Sequence, residues 1–135
     1  MIPGEYWNTN KDRPLIIGAH WDTYGLTGGF NDNGSGIAAV LESARVLSAA
    51  RCFSPNYSVI FVVFDAEEVG CAGSENLIAT YIKPLLHRQG IEVQGAIILD
   101  TIFNYDQESK SQQFTQVYTT TVSYTHLTLP TICSV

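Results

Sequence analysis

Three short apolar segments constrain the fold of this chain more than any other feature of its sequence. They cover residues 14–20, 57–64 and 95–99, and each is of the kind that forms a fully buried β-strand. Between them, apolar residues fall at helical spacing over residues 37–50. Ser74 is placed to cap a second helix that runs to about residue 87, which Pro84 is expected to kink or end. The alternation predicts a three-layer (αβα) α/β fold with a mainly parallel central sheet.

Ionisable residues stand directly after each predicted strand. His20 ends the first strand, the pair Glu67 and Glu68 follows the second, and Asp100 follows the third. In open α/β sheets, ligands bind outside the carboxyl ends of the strands. The sequence therefore predicts that one imidazole and three carboxylates meet at one edge of the sheet.

Each of these residues also has an ordinary structural interpretation. Asp22 can accept the second ring N–H of a metal-ligating His20, or the two can be a satisfied histidine and an exposed aspartate. Glu67 and Glu68 form either an exposed acidic turn or a metal ligand next to a proton acceptor, since adjacent desolvated carboxylates need a compensating cation. Asp32 is either a helix N-cap or a carboxylate that bridges two metal ions.

The loop before the first predicted helix contains a pattern typical of dinucleotide sites, GSGIAA at residues 34–39. That fingerprint requires a strand that runs straight into the glycine turn and an acidic residue about twenty positions further on. A long loop separates residue 20 from residue 34, and no acidic residue lies near position 56. We therefore reject a dinucleotide site.

Composition narrows the class of protein and its partners. A chain of 135 residues forms one domain at most, and a net charge of −6 argues against a nucleic-acid or anionic-membrane partner. No apolar run approaches the roughly 20 residues of a membrane span. Three cysteines without metal-knuckle spacing do not form a disulfide framework. Asn-x-Ser sequons occur at Asn33 and Asn56, and because Asn56 lies in a plausible surface loop, a secreted or lumenal location stays open.

Four segments together resemble a known family. HWD (20–22), NDNGSG (31–36), FDAEEVGCAGS (64–74) and IILD (97–100) are similar, in this order, to the zinc-dependent aminopeptidase family with two co-catalytic metal ions. That family also contains glutamate carboxypeptidases and transferrin-receptor-like ectodomains. The resemblance covers about residues 2–106 and implies a peptide substrate.

The resemblance implies a specific set of zinc ligands. His20 and Asp100 would bind the first zinc ion, Glu68 would bind the second, and Asp32 would bridge both. It also implies a cis peptide bond between Asp32 and Asn33, a feature that persists only where the surroundings determine it.

The resemblance also implies the reaction. The two zinc ions would activate a bridging water, and Glu67, as general base, would take its proton and pass it to the leaving amine. Asp22 would orient His20. Related glutaminyl cyclases use a single zinc ion but lack the glycine-rich patterns seen here, and receptor-like members typically lose ligands that this chain retains.

The chain departs from the family at both ends. The family's site needs another histidine far downstream, and His87, at a predicted helix end, fits a structural or solvent role better. His126 follows Asp100 too closely, and it lies in VSYTHLTLPT (122–131), which matches the translation of a common transposon-based sequencing adapter. We expect residues 1–120 to be a partial catalytic domain, truncated at both ends, and residues 121–135 to be a non-native tail.

Three functional hypotheses follow. The first is a zinc-dependent exopeptidase of the aminopeptidase type, which we expect of the parent protein. The second is a non-catalytic receptor-like ectodomain with the same fold, which the retained ligand positions disfavour. The third is an inactive truncated fragment, which we expect of the chain as written because one histidine ligand is missing.

Overall fold

The computed structural model describes residues 1–103 as alternating strands and helices. In chain order these are β1 (Leu15–His20), α1 (Gly34–Ala49), β2 (Val59–Phe64), α2 (Ala72–Leu77), a π-helical turn (Ile78–Ile82), α3 (Lys83–Gln89) and β3 (Gly95–Ile98). None of the helices in this part of the chain combines the length and the apolar character that crossing a bilayer requires. The predicted tail and His126 lie outside the described residues.

The sheet is parallel, with strand order β2-β1-β3. In the central strand, Ile17 pairs with Phe61 on one side and with Ile97 on the other. From β1 the chain connects to β2 on one side of β1. From β2 it then crosses over β1 to reach β3 on the other side. Because such crossovers are right-handed, α1 and the α2–α3 run lie on opposite faces of the sheet. The predicted α/β fold with a parallel sheet is confirmed.

Helix α1 begins inside the segment that the sequence predicts to be a loop. Its N-cap is Asn33, whose side-chain oxygen accepts the backbone N–H of Gly36 at 3.0 Å. A Cβ at residue 36 would collide with that oxygen and with the carbonyl of Leu99, so only glycine fits this close approach. The N-cap interpretation of Asp32 is therefore wrong, since its neighbour caps the helix.

The second helical run differs from its prediction at both ends. It begins at Ala72, and the Ser74 hydroxyl donates to the carbonyl of Cys71 instead of capping the helix. Pro84 does not end it, because it lies in the first turn of α3, where a missing N–H costs little, directly after the π-helical turn. The run continues to Gln89 and ends at Gly90, which adopts a left-handed conformation (φ 64°).

The core between the sheet and the α2–α3 run is built around Ile16, Ile60 and Ile82. Burial decreases away from the central strand, and the side chains of Val63 and Ile98 are 48% and 53% exposed. The prediction of fully buried strands is therefore wrong for β2 and β3. Within the described residues these two are edge strands, whereas β1 has a neighbour on each side.

A buried carboxylate that the sequence did not reveal fixes the amino end of β2. Asp12 is fully buried, and its two oxygens accept the backbone N–H and the hydroxyl of Ser58 at 2.9 and 2.8 Å. The same hydroxyl accepts the N–H of Gly4 at 3.1 Å, and Ile2 forms an antiparallel bridge to Val59. The N-terminal segment is thereby attached to the start of β2.

We expect Asp12→Ala to lower the free energy of unfolding by about 3 kcal/mol, because it leaves two buried donors of Ser58 without an acceptor. Chemical denaturation of the variant and the unchanged protein measures this difference. Glu42→Ala is the control, since Glu42 pairs with Arg45 on the exposed surface of α1 and its loss should leave the midpoint unchanged. Equal midpoints for the two variants would contradict the role of Asp12.

Candidate metal centre

His20 ends β1 and is 3% exposed, so its ring is fixed by its surroundings. Its Nδ1 atom lies 3.1 Å from the backbone oxygen of Asp22. Its Nε2 atom faces carboxylates, at 3.2 Å from Asp32, 3.5 Å from Asp100 and 3.9 Å from Glu67. With the proton on Nδ1, donated to the Asp22 carbonyl, the Nε2 lone pair points at these acids, which is the arrangement that metal ligation needs.

The Asp22 carboxylate holds the turn that carries the two glutamates. Its Oδ1 and Oδ2 atoms accept the backbone N–H groups of Glu67 and Glu68 at 3.1 and 3.0 Å. Oδ1 is 3.5 Å from Nδ1 of His20, farther than the Asp22 backbone oxygen. Asp22 thus contacts His20 chiefly through its backbone, and its side chain connects the ends of β1 and β2.

The loop of Asp32 is attached to the end of β3. Asn33 donates its side-chain N–H to the carbonyl of Leu99 at 2.9 Å, and Ser35 accepts the N–H of Ile102 at 3.1 Å. These bonds place Asp32 beside Asp100. The cis peptide bond between residues 32 and 33, which the resemblance implied, is confirmed.

The turn between β2 and α2 is unusual in its backbone. Ala66 and Cys71 have left-handed conformations (φ 55° and 60°) and flank the two glutamates. Asp65 stabilises the turn, because its Oδ1 accepts the indole N–H of Trp21 at 3.0 Å and the N–H of Ala66 at 2.9 Å. Neither Trp21 nor Asp65 was singled out from the sequence, where no local pattern marks a contact across 44 positions.

Charge crowding shifts the pKa values of the site. Burial and the nearby carboxylates of Asp32 and Glu67 raise the pKa of Glu68. For His20, burial alone would lower the pKa, but the charges of Asp100 and Glu67 outweigh it and raise the pKa. For Asp22, burial opposes ionisation, but the N–H groups of Glu67 and Glu68 outweigh it and lower the pKa.

Two overlapping sets of side chains have the spacing of metal ligands. His20, Asp32 and Asp100 form one set and His20, Glu67 and Glu68 the other, with donor atoms within 4.8 Å of one another in each. We call these five residues together the metal centre. The Glu68 Oε1 atom is buried without a hydrogen-bond partner. In the described residues, the ion pair that involves a lysine or arginine is Arg45–Glu42, which lies on α1 and not at the metal centre. Histidine nitrogen and carboxylate oxygen are ligands that zinc accepts, so the residues fit this ion.

A cavity of about 350 Å³ adjoins the metal centre on the α2 side of the sheet. His20, Glu67 and Asp100 contribute to its wall together with apolar side chains, among them Ile16, Leu77, Ile82 and Ile98. Low polarity next to the carboxylates strengthens their interactions with any bound cation. His87, in the last turn of α3, is exposed and belongs to neither ligand set.

The chain matches the family model described as peptidase family M28 over residues 2–129. This match extends into residues 121–135, so the proposed boundary near residue 120 stays a prediction. No solved structure matches the chain at a significant level.

Several curated proteins are similar to the chain. Leupeptin-inactivating enzyme 1 of Streptomyces exfoliatus is 33% identical over 124 residues, which is 87% of this chain and 26% of that protein. Leucine aminopeptidase 1 of Ajellomyces capsulatus is 38% identical over 91 residues (59% and 22%). The probable lipoprotein aminopeptidase LpqL of Mycobacterium tuberculosis is 46% identical over 66 residues (47% and 12%). The chain thus spans about a quarter or less of the length of these relatives.

We expect Asp22→Ala to weaken zinc binding by about 10- to 100-fold, because the turn of Glu67 and Glu68 loses its acceptors. Isothermal titration with zinc measures the affinity. Asp65→Asn is a matched control, since it removes a nearby negative charge but keeps an oxygen that can accept the same two bonds. Equal losses in both variants would show that charge alone, and not the position of the turn, determines the affinity.

Zinc binding should also strengthen as the pH rises through and above 6.5, the ordinary pKa of histidine. The reason is that zinc competes with the proton on His20, whose pKa is raised, so protonation persists above that value. Zinc titrations at about pH 6 and about pH 8, in buffers of different ionisation enthalpy, measure both affinity and proton release. The same affinity at both pH values would exclude His20 as a ligand.

Proposed function

The chain belongs to peptidase family M28, and from that membership we propose that the protein is a zinc-dependent exopeptidase of the aminopeptidase type. The observation that carries the proposal is the metal centre, in which the buried imidazole of His20 faces carboxylates from the segments that follow each of the three strands. Because the chain spans a minor part of its relatives, residues 1–120 are proposed as part of the catalytic domain.

We assign two zinc ions to the metal centre. His20 and Asp100 would bind one ion, Glu68 would bind the other, and Asp32 would contact both. The raised pKa of Glu68, caused by burial and then by Asp32, supports a position for a cation between these two carboxylates. Zinc, when bound, supplies Lewis acidity, which lowers the pKa of water and polarises a carbonyl group.

Glu67 is proposed as the general base. Its side chain is 41% exposed, so a water molecule and a substrate can reach it, and its Oε2 lies 3.9 Å from Nε2 of His20. Asp22 fixes its backbone, and the thiol of Cys71 lies 3.8 Å from its Oε1. Glu67 would take a proton from water and transfer it to the leaving amine of the cleaved peptide bond.

The charge of the site supports an aminopeptidase over a carboxypeptidase. A carboxypeptidase must bind the substrate's terminal carboxylate, for which arginine or lysine is the usual partner. Carboxylates surround the metal centre, and among the described residues no lysine or arginine forms an ion pair with them. An excess of acid over bound zinc charge would attract the α-ammonium group of a peptide.

The cellular location is a further part of the proposal. A relative described as a probable lipoprotein aminopeptidase supports a secreted or lumenal protein. A non-catalytic receptor-like ectodomain is the alternative, and no described residue favours it, since each of the four ligand positions that the chain contains keeps a ligating side chain.

Glu67→Gln in the full-length protein should reduce kcat by at least about 100-fold, because glutamine cannot accept the proton. Zinc content should be unchanged, since Glu67 is not assigned as a ligand. Hydrolysis of an aminoacyl p-nitroanilide and metal analysis of the same sample give the two values. Glu75→Gln, on the first turn of α2, controls for the loss of one charge. Undiminished turnover in Glu67→Gln would refute the base assignment.

Asp32→Ala should have a different effect, namely loss of zinc together with activity. Its carboxylate is proposed to contact both ions, so its removal affects both at once. Inductively coupled plasma analysis after dialysis measures the zinc that remains. Retention of two zinc ions per chain in this variant would contradict the proposed position of Asp32.

A further inference from the structure

The two Asn-x-Ser sequons of the chain lie in very different surroundings. They are Asn33-Gly34-Ser35, at the start of α1, and Asn56-Tyr57-Ser58, in the bend between α1 and β2. Both satisfy the acceptor pattern in the sequence. Burial and hydrogen bonding distinguish them.

Asn33 has no room for a glycan. Its side chain is buried (1% exposed), its Nδ2 donates to the carbonyl of Leu99, and its Oδ1 accepts the N–H of Gly36. These bonds hold the loop of Asp32 against the end of β3. A sugar on Nδ2 would break this packing beside the metal centre, so a chain modified at this position cannot adopt the described fold.

Asn56 is exposed and lies at the amino ends of the strands, opposite to the metal centre. Its backbone oxygen accepts the N–H of Tyr6 at 3.0 Å, and the preceding Pro55 accepts the N–H of Glu5, which fixes the bend while leaving the side chain at the surface. Asn56 precedes the amino end of β2, whereas the metal centre follows its carboxyl end. The six residues of β2 separate the two by about 20 Å, so a glycan here leaves the metal centre open.

We propose that Asn56 is the N-glycosylation site of this domain when it enters a secretory lumen, and that Asn33 is not modified in the folded protein. The donor class is a lipid-linked oligosaccharide diphosphate. A bond forms between Nδ2 of Asn56 and the anomeric carbon, the bond from that carbon to the diphosphate oxygen breaks, the lipid diphosphate leaves, and the amide loses one proton. This inference does not rest on the proposed peptidase activity.

The structure also fixes when the modification takes place. The hydroxyl of Ser58, which the sequon requires, is fully buried between Asp12 and the N–H of Gly4. An enzyme that recognises this hydroxyl cannot reach it in the folded domain. Glycosylation of Asn56 therefore precedes the closure of this network, and the glycan remains at the surface afterwards.

The test is translation of the full-length protein behind a cleavable signal peptide with microsomes derived from the endoplasmic reticulum. Enzymatic deglycosylation in heavy-oxygen water, followed by mass spectrometry, maps each occupied asparagine as labelled aspartate. We expect Asn56 to carry a glycan in the translocated chain and in the Ser58→Thr variant, which keeps the required hydroxyl. The Asn56→Gln variant lacks the acceptor and is the negative control. An unoccupied Asn56 in the translocated chain would overturn the proposal.

Limited proteolysis of the same sample tests the exclusion of Asn33. Protease-resistant chains should carry a glycan at Asn56 and none at Asn33, and any chain modified at Asn33 should be digested. An absence of modification at Asn33 in every pool agrees equally with the proposal. A protease-resistant chain with a glycan at Asn33 would overturn it.

Discussion

Repulsion among carboxylates that crowd around one imidazole is the constraint on which the arrangement of this chain depends. The parallel sheet brings the ends of all three strands to one edge, and that edge carries five acidic side chains: Asp22, Asp32, Glu67, Glu68 and Asp100. The raised pKa of Glu68, which follows from burial and then from neighbouring charges, shows the cost. A bound cation would remove that cost, and this supports the proposed metal site.

Residues outside the proposed ligand set hold the side chains of that set in place. Asp22 accepts both N–H groups of the glutamate turn, and Asn33 joins the loop of Asp32 to the end of β3 while it caps α1. The bonds of Asp22 join the end of β1 to the turn after β2, and the bond from Asn33 to Leu99 joins the loop before α1 to the end of β3. Loss of hydrogen-bonded supports of this kind typically weakens metal affinity by about 10- to 100-fold.

The features predictable from the sequence were those encoded locally. Apolar runs that end in an ionisable residue located β1, β2 and β3, and parallel topology then placed His20, Glu67 and Asp100 together. The remaining features depend on contacts across the chain, such as the pairing of Asp12 with Ser58 over 46 positions, and no periodic pattern reveals these. Ser74 misled because α2 already begins at Ala72, and Pro84 misled because it lies in the first turn of α3, directly after the π-helical turn. The cis peptide bond followed from family resemblance alone.

The central claim is that the strand-end acids and His20 form a zinc site. Anomalous scattering at the zinc absorption edge, measured on crystals of the full-length protein grown with zinc, tests it most directly. The account predicts two anomalous peaks at the metal centre, one in contact with His20 and Asp100, the other with Glu68, and both with Asp32. Zinc peaks away from these side chains, or a strong peak that contacts neither His20 nor Asp32, would contradict it.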